Sequence, residues 1–464
     1  MKVKIEMIFR RSETDGKISE KQSWRTYQTR LKRTAAKKRL AKGIFKYTPF
    51  LAIIAVAAFA LTVGFIRSIN YYACKKIVPA IDTVETVFKE SKKISKNSVR
   101  NLLGNHSFVN LKDKRFNITF DDKNYWVDTT LDISLQNFIL KKIDRSTSKY
   151  IGIVIMEPLT GRILSMIGFN RIDTSSNPCV DKKFPAASIF KIITAAASVE
   201  KCGFSCSSKF KFNGNKYTLY KTQLKDRTNR YTNRITFKDS FAQSVNPVFG
   251  KIGANYLGKE AIEKYAAAFG FNREINFEIP VARSEISLSA EPYQWAEIAC
   301  GFNRKTTITT IHGAMLASAI INSGSLIEPT IIDQITNENG QVVYHNRATV
   351  INETITQGTS NIVFDLMKAT VKSGTSRKAF RGYRKDRILS RLDIGGKTGS
   401  IDNKSHEIRF DWFVGFAEEK NGSGKIAVSV VVAHEKYIGK RAGYYARIAI
   451  KEYFNNYFAK NGAV

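Results

Sequence analysis

Residues 47 to 66 form an unbroken run of twenty residues without a charge, rich in Ala, Ile, Leu, Val and Phe. At about 1.5 Å per residue the run makes roughly 30 Å of helix, enough to cross the hydrocarbon core of a membrane. Thr48, Pro49, Thr62 and Gly64 interrupt it only chemically, since such residues are tolerated in spanning helices. A buried core helix fits less well, because it is not expected to be apolar all round. The preceding 46 residues hold 15 Lys or Arg against 4 Asp or Glu, which predicts the amino terminus inside and everything after Arg67 outside. Ala58-Phe59-Ala60 resembles a signal-peptide cleavage site, but the long leader and the continued apolarity through Ile66 favour an uncleaved anchor.

The run divides the chain. Residues 1–46 are a basic cytoplasmic tail and 47–66 the transmembrane anchor. Residues 67–124, polar and basic with a short amphipathic stretch near 78–88, are expected to be a stalk or small pedestal. Residues 125–464 leave room for one large catalytic unit. Lys plus Arg exceed Asp plus Glu by 74 − 40, a formal charge of +34. Nucleic acid is not the expected partner, because the basic residues are spread out and no zinc-finger spacing or dinucleotide-binding loop directs them. The basic, tyrosine-bearing stretch 209–234 fits a solvated loop near an active site better than a single-strand binding platform. The five cysteines are too scattered for a disulfide framework; Cys202 and Cys206 could bridge or stay reduced. No Cys or His cluster has metal-ligand spacing, so neither metal nor cofactor is expected.

Chemistry is expected first at Phe184-Pro185-Ala186-Ala187-Ser188-Ile189-Phe190-Lys191, which runs into an apolar segment with no further Pro or Gly until Gly203. This is the pattern of a turn feeding a helix. Ser188 and Lys191 then stand three apart on its first turn, where the amine can take a proton from the hydroxyl. Alone the spacing is weak evidence, since Ser-x-x-Lys also begins at Ser146, Ser198 and Ser208. Its company distinguishes Ser188: Ser244-Val245-Asn246 and then Lys397-Thr398-Gly399-Ser400 follow downstream. Ser-x-Asn recurs at Ser68, Ser95 and Ser175, but only one copy lies between Ser188 and the single Lys-Thr-Gly. Taken singly, Ser244 and Asn246 could cap a helix and Lys-Thr-Gly could be a turn; order and context favour a constellation.

Ser-x-x-Lys, Ser-x-Asn and Lys-Thr-Gly in this order resemble the penicillin-binding protein and serine β-lactamase superfamily, over roughly residues 125–464. Thr130-Leu131-Asp132-Ile133-Ser134-Leu135-Gln136 is similar to the entry into its transpeptidase domains, and Asp411-Trp412-Phe413-Val414-Gly415-Phe416 to the strand beside Lys-Thr-Gly. The resemblance implies Ser188 as nucleophile, Lys191 as base and Ser244 as proton relay towards the leaving amine, with Asn246 holding substrate backbone. Lys397 and Thr398 would bind the terminal carboxylate of a D-alanyl-D-alanine stem, and Gly399 would keep the strand clear for substrate. The backbone N–H groups of Ser188 and Ser400 would form the oxyanion hole. A free lysine, with a pKa of about 10.4, is a poor base, so Lys191 must be desolvated or sit beside another cation, for which Lys397 is the candidate. Cys300-Gly301-Phe302-Asn303 departs from the usual family text, where a Gly-rich pair is common.

The activity implied is a bacterial peptidoglycan D,D-transpeptidase that cross-links stem peptides through an acyl-serine and is acylated by β-lactams. Its expected place is the plasma membrane, single-pass, with the catalytic domain on the outer face. Residues 67–124 are too short for a glycosyltransferase domain, and no Glu-Asp-x-x-Phe string is present, so a separate glycan polymerase is an expected partner. A D,D-carboxypeptidase on the same fold is equally compatible. A β-lactamase is less so, lacking any Leu-Asn pair for the deacylation string and carrying Asn246 where the oxacillinase type has an apolar residue. A β-lactam sensor or cell-wall scaffold is the non-enzymatic alternative. Anionic membrane lipid or anionic wall polymer would account for the charge.

The expected fold is α/β (α+β), an antiparallel sheet flanked by helices with a helical subdomain, plus the N-terminal transmembrane helix. Asp132 should cap a helix towards Asp144. Strands are expected at 150–156, 162–168, 393–401, 411–418 and 425–434, and helices at 237–257, 311–321, 361–372 and 444–458. The Ser188 helix and the terminal helix should cover the sheet. Residues 259–330 should form the helical subdomain.

Overall fold

The computed structural model describes residues 94–104 and 106–462. The basic tail, the apolar run 47–66 and the first part of the expected stalk lie outside them. Among the described residues no helix is long and apolar enough to cross a membrane.

The described residues form one compact unit. It opens with α1 (Lys96–Leu103), a hairpin of β1 (Arg115–Phe120) and β2 (Lys123–Thr129), and α2 (Ile133–Leu140). Then come β3 (Ser148–Met156) and β4 (Ile163–Asn170), followed by a 3-10 turn (Ala187–Phe190) continuous with α3 (Lys191–Cys202). Next are α4 (Phe237–Ala242), α5 (Asn246–Lys251), α6 (Thr310–Ile321), β5 (Ile332–Asn337), β6 (Val342–His345) and α7 (Gln357–Lys372). The chain closes with β7 (Leu392–Asp402), β8 (Arg409–Glu419), β9 (Lys425–His434) and α8 (Ala442–Lys460). The central sheet runs β7-β8-β9-β3-β4, antiparallel throughout, so β7, which carries Lys-Thr-Gly, is an edge strand.

Alternation along β9 explains the two cores. Ile426, Val428, Val430 and Val432 point to the side shared with Ala442, Tyr445 and Phe454 of α8, while Ala427, Val431 and Ala433 point to the larger core on the other side. On that second side α6, buried at every position, lies on the central strands, and α7 packs along β7. It approaches closely because Gly313 sits over Ser429, where a Cβ would come within 2.4 Å of the Ser429 Oγ. The Ser188 helix was expected in that place. Instead α3 packs among helices, with Lys191 through Val199 all buried. Gly313 at the contact lets α6 lie close on β9, so α6 is part of the sheet packing, not of a separate helical subdomain.

Asp132 caps α2, accepting from the backbone N–H of Leu135 at 3.0 Å. Residues 94–124 do not stand apart as a stalk. β1 and β2 continue the β5-β6 hairpin into a four-stranded sheet, and Val99, Leu103 and Phe108 are buried in the larger core. The boundary expected at residue 125 falls inside β2. The expected helix 237–257 is broken. α4 ends at Ala242, Ser244 has φ +58°, and α5 restarts at Asn246. Pro247 explains the restart: lacking an N–H and crowding the preceding turn, it belongs in the first turn of a helix and not in its middle.

Candidate active site

Four segments meet at Ser188. A two-residue strand, Phe184–Pro185, pairs with Thr307–Ile308 and fixes the entry to the 3-10 turn. Ala187 holds φ +48°, a strained value for a residue with a Cβ. Gly301 lies against it so closely that a Cβ there would stand 1.8 Å from the Ala187 carbonyl oxygen. From the other side, the Trp412 indole donates to the Pro185 carbonyl at 3.0 Å. The turn is thus clamped between the end of a helix and strand β8.

Lys191, the first residue of α3, is fully buried and its Nζ has three neighbours. Ser188 Oγ is at 2.8 Å, Asn246 Oδ1 at 2.7 Å and the Cys300 carbonyl at 2.5 Å. Cys300 is the last residue of the helix Pro292–Cys300, which stops at Gly301 (φ +70°). Its carbonyl has no partner within its own helix, so Lys191 caps it while Thr194 caps the Ala299 carbonyl at 2.8 Å. The Asn246 side-chain amide is oriented by its other end, which donates to the Tyr217 carbonyl at 2.8 Å. Its backbone N–H donates to the Lys216 carbonyl at 2.7 Å. The tyrosine-bearing loop therefore holds Asn246 through backbone carbonyls, while Tyr217, Tyr220 and Tyr231 remain exposed.

Burial lowers the Lys191 pKa to about 8. A neutral amine has two hydrogens and one lone pair. With Asn246 Oδ1 and the Cys300 carbonyl accepting the two hydrogens, the lone pair is left for the Ser188 hydroxyl. The geometry therefore suits a base, and of the two causes the sequence left open, desolvation or a neighbouring cation, desolvation is the one that lowers the pKa. Lys397 was the candidate neighbouring cation. It is also fully buried, and its own pKa falls well below the usual lysine value, through burial first and the charge of Lys191 second.

Lys397 Nζ donates to Ser244 Oγ and to the Thr398 carbonyl, both at 2.9 Å. The left-handed φ of Ser244 places its hydroxyl there. Gly399 runs beside the Ser188 turn, where a Cβ would come within 3.3 Å of the Ser188 nitrogen and 3.2 Å of the Ala187 Cβ. Ser400 Oγ donates to Asp411 Oδ1 at 3.0 Å, and Asp411 Oδ2 accepts from the Ala442 N–H at the start of α8 at 2.8 Å. Ser188, Lys191 and Asn246 are thus joined by hydrogen bonds, as are Ser244 and Lys397, and Gly399 lies against the Ser188 turn, while the Thr398 hydroxyl bonds to Thr375 and the Ser400 hydroxyl to Asp411.

Thr375 was missed from sequence. Its hydroxyl hydrogen-bonds to Thr398 Oγ1, and its backbone N–H donates to the Ala242 carbonyl at 3.0 Å. Gly374 permits the approach, since a Cβ there would lie 2.2 Å from that same carbonyl oxygen. The signal was present as Ser373-Gly374 ending a predicted helix, but nothing local says that the next hydroxyl faces Lys-Thr-Gly. The Cys300 and Tyr217 carbonyls could not have been found, because every residue has one. Cys202 and Cys206 are both free thiols in this structure.

The model of the family described as the penicillin binding protein transpeptidase domain matches residues 151–455. The chain is similar to penicillin-binding protein PbpB of Mycolicibacterium smegmatis, 23% identical over 310 residues that make up 59% of this chain and 44% of that protein. It is also similar to the peptidoglycan D,D-transpeptidase PbpA of the same organism, 20% identical over 61% of each. The chain thus spans about half of the curated relatives' length. A solved neighbour is penicillin-binding protein A of Mycobacterium tuberculosis as its imipenem acyl-enzyme, with a TM-score of 0.56 at 18% identity, covering 71% of this chain and 79% of that one. The motif order, the clustered site and a family match over about two thirds of its length lead to one conclusion: the chain belongs to the penicillin binding protein transpeptidase family.

Proposed function

We propose that the chain is a serine D,D-transpeptidase that cross-links peptidoglycan stem peptides and is acylated by β-lactams. One observation carries this: the buried Lys191 amine lies 2.8 Å from Ser188 Oγ with its other two neighbours both acceptors. An edge strand bearing Lys397 and Thr398 lies alongside, open for an extended peptide to add to.

Neutral Lys191 takes the Ser188 proton as Oγ attacks the carbonyl carbon of the penultimate D-alanine. The resulting oxyanion sits between the Ser188 and Ser400 backbone N–H groups, where each donor typically contributes about 10²- to 10³-fold. The terminal carboxylate rests on Lys397 and Thr398, with Thr375 supporting the threonine. Ser244 passes a proton to the leaving D-alanine nitrogen as the C–N bond breaks, leaving acyl-Ser188. An amine of a second stem then attacks the ester, loses its proton through the same groups and releases Ser188. Asn246 keeps one amide hydrogen for the substrate backbone.

The acyl-enzyme forms of the Mycobacterium tuberculosis neighbour, with imipenem, ceftriaxone and penicillin G, support the β-lactam part of the reading. The run 47–66 supports anchorage in a bacterial plasma membrane with the catalytic unit outside, and a separate glycan polymerase would supply the strands to be joined. The test is intact mass after incubation with a fluorescent penicillin, beside Ser188→Ala. A stable adduct, absent from the variant, is expected. No adduct would leave a scaffold, and rapid loss of the adduct would indicate a β-lactamase. Release of D-alanine without joined stems would indicate a carboxypeptidase.

A further inference from the structure

A second concave site lies apart from the Ser188 constellation. A cavity of about 470 Å³ opens between the first turn of α4, one side of α7, the start of β7 and the turn after β8. Lys238, Lys368, Lys372, Arg384 and Lys420 line it against two carboxylates, Asp365 and Asp393, an excess of 5 − 2 = 3 positive charges. Asp393 is already neutralised by Lys368 at 3.0 Å. Lys420 is held in place without being neutralised, donating to the Ser390 carbonyl at 2.7 Å. Arg384 lies over the Tyr383 ring. The side-chain amines of Lys238 and Lys372 have no hydrogen-bond or ion-pair partner among the described residues.

Cations from four separate segments are brought together around one concave space at an electrostatic cost, and Lys238, Lys372, Arg384 and Lys420 are all exposed there, within reach of a ligand from solution. The segment 377–391, which closes one wall, holds seven Lys or Arg and one Asp, so the positive surface continues beyond the cavity and can follow a long ligand. Several lysines and an arginine around one space suit a group with more than one charged oxygen.

We propose that this cavity binds a phosphate-bearing polyanion, either a soluble phosphodiester polymer or an anionic lipid headgroup. The site is independent of the acyl-serine chemistry, and none of its residues belongs to that machinery. The test is calorimetric titration of the full chain with tripolyphosphate at low and physiological ionic strength. Lys372→Gln with Arg384→Gln is compared with Lys123→Gln plus Lys141→Gln, which removes the same charge elsewhere. Saturable binding is expected, weakened about tenfold or more by the cavity pair and less than about twofold by the control. A thermal melt like that of the wild type shows that the variants are folded. Equal weakening by both pairs, or no saturable binding, overturns the proposal. Displacement of tripolyphosphate by phosphatidylglycerol vesicles, but not by phosphatidylcholine vesicles, assigns a lipid headgroup; no displacement by either assigns a soluble polymer.

Discussion

At the scale of single residues, the proposed chemistry rests on two lysines that burial has deprived of water. Because Lys191 acts as a base only when neutral, and its pKa is about 8, acylation by penicillin should rise as pH rises through about 8 and then level off. Lys191→Arg, which keeps the charge but cannot give up its proton, should slow acylation by about 10²- to 10⁴-fold and abolish that inflection; stopped-flow labelling across pH reads both. The same shift has a stability consequence of definite sign. Between about 8 and the ordinary 10.5, unfolded Lys191 holds more protons than folded Lys191, so stability should rise with pH across that window. Lys397 differs in what would restore its charge. Burial and the neighbouring amine disfavour its proton, and a ligand carboxylate would favour it. Binding of a carboxylate ligand to Ser188→Ala should therefore take up protons, seen as a dependence of calorimetric heat on the ionisation enthalpy of the buffer, and Lys397→Met should remove it.

At the scale of elements, the site depends on how helix ends are finished. The helix Pro292–Cys300 stops at Gly301, and its last carbonyls are capped by the side chains of α3. Gly301→Ala would place a Cβ against the Ala187 carbonyl at a positive φ. It should cut acylation at least tenfold while circular dichroism stays near wild type, since the Ser188 turn has to move and the sheet does not. Strand and helix positions were legible where periodicity was strong: β3, β8, β9 and α8 lie within a few residues of expectation. The helix 237–257 was misread because its apolar run masked Pro247, whose steric demand divides it and leaves Ser244 at a positive φ with its hydroxyl on Lys397. Thr375 escaped because its partner, Thr398, is 23 residues away.

At the scale of the whole described unit, the segment expected to be a stalk is part of the fold. β2 pairs with β5, and Val99, Leu103 and Phe108 lie in the larger core. Burying three such side chains contributes about 1.5–3 kcal/mol each, comparable with the marginal stability of a domain. A chain starting at residue 125 should therefore aggregate or fail to melt cooperatively, whereas one starting at residue 94 should melt in a single cooperative transition; differential scanning calorimetry distinguishes them.

By itself, the sequence determined which side chains to look for around Ser188, because Ser-x-x-Lys, Ser-x-Asn and Lys-Thr-Gly are particular side chains in a recognisable order, and the structure joins Ser188 with Lys191 and Asn246, and Ser244 with Lys397. The sequence determined the antiparallel sheet too, because alternation and turn residues are local properties. Only the tertiary structure decided that α6 and not α3 lies on the sheet, that residues 94–124 complete the fold, and that carbonyls of Cys300 and Tyr217 hold Lys191 and Asn246 in place. Packing distance and backbone hydrogen bonding between remote segments depend on where the whole chain goes, and leave no mark on the identity of a single residue.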